Sequence, residues 1–121
     1  MNNITIITVG SPETTDYDHI CHHLDALLVN AKDKKVTIFV PRMGGVAEPL
    51  FLLYATERNY DSDSANLQAD EMPEVFNKFK TSEELDRNVM VGYVGFGDSE
   101  LVKDTYHIAQ QLNIKARKIN A

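Results

Sequence analysis

Three apolar runs rich in β-branched residues, at 4–9, 36–40 and 89–94, are each closed by a glycine-bearing turn, and no two lie close enough in sequence to form a hairpin. The turns are Gly10-Ser11-Pro12-Glu13-Thr14-Thr15, Pro41-Arg42-Met43-Gly44-Gly45 and Gly95-Phe96-Gly97-Asp98. Runs apolar on both faces of the pleat belong inside a sheet covered above and below. Long crossovers with helical patterns between the runs make that sheet mostly parallel. The carboxyl ends of neighbouring parallel strands lie along one edge, where open α/β sheets bind ligands. The three turns are therefore predicted to share that edge.

The intervening segments fill in the layers. Tyr17, Ile20, Leu24 and Leu27 fall on one helical stripe, with His19, His22 and His23 on the opposite, solvated side. Residues 26–30 read equally as a further strand or as an extension of that helix. Pro41 is expected to stop the run 36–40, because it has no amide hydrogen for a ladder. Residues 49–54 read as a short packed segment and 59–71 as a mobile polar loop. Residues 73–79 read as helical, with Pro73 tolerated in a first turn. Thr81-Ser82-Glu83-Glu84 matches a capping box. Asp98 is placed to cap a helix in which Leu101, Val102, Thr105, Ile108, Ala109 and Leu112 share one face. Residues 115–119 close as an edge strand, where Lys115, Arg117 and Lys118 discourage pairing with other chains.

Composition narrows the function classes. A chain of 121 residues supports one core, so a single domain spanning 1–121 is expected. A net charge of -6 argues against binding a phosphate backbone, so no nucleic-acid partner is expected. Cys21 is the only cysteine, which excludes an intrachain disulfide and fits a reducing, cytoplasmic setting. It has no basic neighbour to make it reactive. Residues 1–3 run into a strand without a basic and apolar leader, and no run approaches the roughly 20 apolar residues of a membrane span. A soluble protein with no membrane partner is expected.

The first turn joins a strand to a helix and offers the hydroxyls of Ser11, Thr14 and Thr15, a combination that can hold a phosphate monoester or simply cap the helix. Asp16 and Asp18 beside it favour the helix dipole but repel an anion. Neither a Walker motif nor a dinucleotide fingerprint is present. In the other two turns, glycines allow backbone to approach a flat ligand closely, with Met43 and Phe96 as apolar walls. The histidines have metal-compatible spacing but no convincing third ligand, and they read as a polar face. Asp61, Asp63, Asp70 and Glu71 lack EF-hand spacing and read as a solvated loop. No nucleophile elbow is present.

Taken in order, Ser11-Pro12-Glu13-Thr14-Thr15, Val40-Pro41-Arg42-Met43-Gly44-Gly45, Met72-Pro73-Glu74-Val75-Phe76-Asn77-Lys78-Phe79 and Arg87-Asn88-Val89-Met90-Val91-Gly92-Tyr93-Val94-Gly95 resemble the successive motifs of the NrdI flavodoxin-like proteins. Those motifs are a Ser/Thr-rich phosphate loop ending in Glu-Asn-Thr, a Val-Pro-x-Tyr-Gly-Gly turn, a Val-Pro-x-x-Val-x-x-Phe helix and a strand ending in Ser-Gly-Asn. Residues 46–71 lack a good counterpart. The resemblance implies a flavodoxin-like three-layer sandwich with a mostly parallel five-stranded sheet. It also implies FMN as cofactor and electron transfer to the ribonucleotide reductase small subunit of class Ib, supporting activation of its metal cofactor. By resemblance, Ser11, Glu13, Thr14 and Thr15 form the phosphate loop. Pro41, Met43, Gly44 and Gly45 line one side of the isoalloxazine, and Gly95, Phe96, Gly97 and Asp98 the other.

Three positions depart from the family pattern: Thr14 stands for the Asn of the phosphate loop, Met43 for the aromatic of the second turn, and Phe96-Gly97-Asp98-Ser99 for the Asn-rich third loop. Asp98 beside a flavin would oppose negative charge on the reduced ring. Two functions are therefore carried forward. One is an FMN-binding redox carrier of the NrdI type with no catalytic side chain of its own. The other is a diverged module without FMN that acts through protein contacts, with the apolar segment 50–54 as its surface.

Overall fold

The structure, a computed structural model, describes residues 2–121. Along the chain run β1 (Asn3–Gly10), α1 (Tyr17–Leu27), β2 (Lys35–Arg42), α2 (Glu48–Glu57), β3 (Asp61–Asn66), a 3-10 turn (Ala69–Glu71), α3 (Met72–Leu85), β4 (Val89–Phe96), α4 (Glu100–Gln111) and β5 (Lys115–Ile119). All paired strands are parallel, in the order β3-β2-β1-β4-β5.

The two-residue period of the strands builds two cores. Ile4, Ile6, Val36, Ile38, Val40, Val94 and Phe96 pack with Ile20 and Leu24 of α1 and with Phe51, Tyr54 and Ala55 of α2. Ile7, Val9, Phe39, Val91 and Tyr93 point the other way, onto Met72 and Phe76 of α3 and Val102 and Ala109 of α4. The chain winds outward from β1 to β3, then crosses back to β4. That reversal puts α1 and α2 on one face and α3 and α4 on the other. The result is the expected α/β three-layer sandwich, with five parallel strands. The strand order adds a particular: β1 is central between β2 and β4, whereas the flavodoxin order is 2-1-3-4-5.

Several local expectations are corrected. Residues 26–30 form no strand; α1 runs to Leu27 and a turn follows. Pro41 lies inside β2, paired with Ala65 of β3. Pairing of β2 with β1 has already ended at Phe39, so the missing donor leaves no gap on that side. Residues 49–54 belong to the longer helix α2. The expected mobile loop 59–71 contains β3, whose residues are mostly exposed and which adds to the edge of β2 through its backbone ladder, with a surface Lys35–Asp61 ion pair at 3.3 Å and Ala65 against the core. Thr81, Ser82, Glu83 and Glu84 lie within α3 and cap nothing; the capping box is instead Gln68 with Glu71. Ser99, not Asp98, caps α4 through Val102 N.

Candidate functional site at the carboxyl edge

Because β2, β1 and β4 are neighbours, their carboxyl ends bring the three predicted turns to one edge, with Gly10 in register with Phe96. A cavity of about 360 Å³ opens there. Its walls are Gly10 and Pro12 of the first turn, Pro41 and residues 43–46 of the second with Glu48, and Ser99, Glu100 and Leu101 at the start of α4.

The first turn is folded in on itself. Ser11 N donates to Phe96 O at 2.8 Å, Thr14 Oγ1 donates to the same carbonyl at 3.2 Å, and the two hydroxyls lie 3.2 Å apart. Both Ser11 and Thr14 are buried, while Glu13 and Thr15 are exposed. The helix start that follows is capped by Asp16, which accepts from His19 N. Thus the Ser11 amide and the Thr14 hydroxyl tie the first turn to β4, the Ser11 hydroxyl pairs with Thr14, and a carboxylate does the capping.

The second turn is braced by a residue that the sequence reading missed. Glu48 Oε2 accepts from Met43 N at 2.9 Å and Gly45 N at 2.7 Å. Gly44 takes φ +84°, a region that favours glycine, and nothing lies within 4 Å of where its Cβ would be. Met43 is half-buried against the α3–α4 core.

The third turn contributes support rather than wall. A Cβ on Gly95 would meet Val102 at 2.8 Å, so this glycine lets α4 lie close on the sheet. Phe96 is fully buried, 5.7 Å from the Phe51 ring. Gly97 donates to Ile119 O, and Asp98 is exposed near Lys118 (3.7 Å) and Lys103 (4.0 Å). None of the four lines the cavity; Ser99, Glu100 and Leu101 stand in their place. The Ser99 signal was readable as an N-cap residue, whereas nothing in the sequence marked Glu48 as a brace.

The cavity wall is mainly apolar and carries two carboxylates, Glu48 and Glu100, with no lysine or arginine. Away from it, His19 and His23 are not a fully wet face: both are half-buried edge-on to Phe96, and His19 Nε2 lies 2.6 Å from Asn120 O. Among the described residues, no group of three or more His, Cys, Asp and Glu side chains is placed to hold a metal ion. Every buried side-chain polar atom among them has a partner. No described helix is long and apolar enough to cross a membrane.

The fold and edge cavity define a parallel α/β protein with a small-molecule-sized cleft at its topological switch point. In sequence comparison the chain matches no family model and no curated protein.

Proposed function

We propose that this chain is a flavodoxin-like electron-transfer protein of the NrdI type, taking FMN at the carboxyl edge and serving the small subunit of class Ib ribonucleotide reductase in activation of its metal cofactor. One observation carries the reading: the first turn, the second turn and the start of α4 surround one mainly apolar cavity of about 360 Å³. That volume falls in the range of small-ligand sites, roughly 300–1,000 Å³. The order of the four motifs along the chain supports the family.

The residues fit a flat ring well. Met43 and Leu101 offer apolar surface, and the open side of Gly44 admits close approach to backbone. A phosphate is served differently from the arrangement the resemblance implies. The Ser11 and Thr14 hydroxyls are already spent on Phe96 O and on each other. What remains at the first turn is the exposed Thr15 hydroxyl and the amides of Glu13 and Thr15, which donate to no acceptor among the described residues. When bound, the flavin supplies the electron transfer. The chain shapes the slot, and Glu48 and Glu100 oppose added negative charge beside it, the part first given to Asp98.

The protein-contact alternative loses its surface: Phe51 and Tyr54 are fully buried, and of segment 50–54 only Leu53 is strongly exposed. The deciding experiment is a visible spectrum of freshly purified protein, followed by titration of FMN fluorescence. A yellow protein, or saturable quenching, is the expected result. Colourless protein that leaves FMN fluorescence unchanged overturns the reading.

A further inference from the structure

At the carboxyl edge of a parallel sheet an anion is held by main-chain amides, at helix starts and in glycine turns, or by cations. Here the chain fills those amide positions with its own oxygens. At the start of α1, Asp16 Oδ1 accepts from His19 N at 3.1 Å. In the second turn, Glu48 Oε2 accepts from Met43 N and Gly45 N at 2.9 and 2.7 Å. At the start of α4, Ser99 Oγ accepts from Val102 N at 3.3 Å, and Glu100 follows in the first turn of the helix. The amides of Glu13 and Thr15 that remain in the first turn are flanked by the exposed carboxylates of Glu13 and Asp16.

Cations are missing from the same place. No lysine or arginine lines the cavity, and Lys103 and Lys118 beside the third turn lie against Asp98 at 4.0 and 3.7 Å. Arg42, just before the second turn, is exposed and forms no part of the wall. The wall carries Glu48 and Glu100 instead, and Glu100 has no hydrogen bond or ion pair among the described residues to offset its charge. A phosphate monoester brings a charge of about −1.5 to −2 at neutral pH and meets like charge here. A neutral flat ring meets the apolar surface of Pro41, Met43 and Leu101.

We propose that this cleft selects its ligand by the ring and against a phosphate, so that riboflavin, the uncharged flavin, binds at least as tightly as FMN. The inference rests on the flavin reading of the cleft and narrows it. Apolar contact supplies the affinity, and the carboxylates around the edge oppose the phosphate. The hydroxyl-rich first turn then serves as a tie to β4 and not as a phosphate cradle.

The test titrates the full chain with riboflavin and with FMN, by quenching of flavin fluorescence, at ionic strengths of about 0.01 and about 0.1 M, over which the Debye length falls from roughly 30 to roughly 10 Å. At the lower ionic strength riboflavin is expected to bind as tightly as FMN or up to about tenfold more tightly, and FMN should gain on it as salt screens the carboxylates. Glu100→Gln changes an exposed side chain and should shift the same ratio toward FMN by about threefold. FMN binding the more tightly of the two to the unaltered protein at low salt, or a ratio that neither salt nor Glu100→Gln moves, overturns the inference and leaves the flavin reading standing. If neither flavin binds, the flavin reading falls and this inference falls with it.

Discussion

A β-carbon on Gly97 would lie 1.7 Å from the Ser11 hydroxyl oxygen and 2.6 Å from Ser11 Cβ. The two residues meet at the seam between β1 and β4, where Gly97 also takes φ +92°. Gly97→Ala therefore adds backbone strain to displacement of Ser11 and loss of its bond to Thr14. Gly44 provides the control, with φ +84° and open space around it. Gly44→Ala should cost about 1–2 kcal/mol, the strain alone, and Gly97→Ala about 3 kcal/mol or more. Urea denaturation of both variants reads the difference, and equal losses would mean that Ser11 yields freely.

Glu48 sits where an anionic ligand would otherwise find two converging amides. Glu48→Gln keeps one oxygen that can accept from both Met43 N and Gly45 N but removes the charge that strengthens those bonds, so a stability loss of about 1 kcal/mol is expected. On the reading proposed above, the same variant should raise the flavin's reduction potential, because one carboxylate opposing the reduced ring is gone. Potentiometry on FMN-loaded protein checks this, and a lowered potential would contradict it.

Asp25 joins α1 to α2. It accepts from Tyr54 Oη at 2.7 Å and from Arg58 Nε and Nη2 at 3.0 and 2.9 Å. Its carboxyl is held below the usual range first by the Arg58 hydrogen bonds, against an opposing push from burial, and then by the Tyr54 hydroxyl. The folded protein thus binds this proton less readily than the unfolded chain. The stabilisation is complete above the unfolded pKa of about 3.9 and is lost as pH falls through the lower folded value. Asp25→Asn should flatten that part of the acid limb in pH-dependent unfolding. The exposed ion pair itself contributes little. Asp25→Ala instead strips the acceptor from the hydroxyl of the buried Tyr54 and should cost about 1–3 kcal/mol at neutral pH. A Tyr54→Phe change in the Asp25→Ala background should recover part of that loss.

The layers were legible in the sequence because β1, β2 and β4 are buried on both faces and their apolar runs say so without any partner. α4 was equally plain, since its stripe has the helical period. β3 was not: Asp61, Ser62, Asp63, Ser64, Ala65 and Asn66 have neither the period nor the propensity of a strand. It forms because the edge of β2 supplies a backbone ladder, a tertiary cause invisible in the local sequence. Thr81 to Glu84 failed as a helix start for the converse reason. The same residue types act inside α3, where Thr81 bonds to Asn77 O and Glu83 reaches Lys80 and Val91 N.

At the edge, the position of the turns could be read but not the direction of their side chains. Ending the third run at residue 94 made Phe96 look like a turn residue. With β4 extended to Phe96, alternation from Val94 carries Phe96 into the core. The choice of Ser11 and Thr14 between a ligand and the Phe96 carbonyl is settled by the adjacency of β1 and β4, which no reading of the first turn alone contains.

The brace of Glu48 on the second turn fixes the shape of the cleft before any ligand arrives. A loop whose amides already hold a partner spends its ordering entropy during folding, and little is left to lose when a guest arrives. Such a cleft keeps its shape between visits. On the reading proposed above, a ligand could leave and return without the rim of the cleft having to refold.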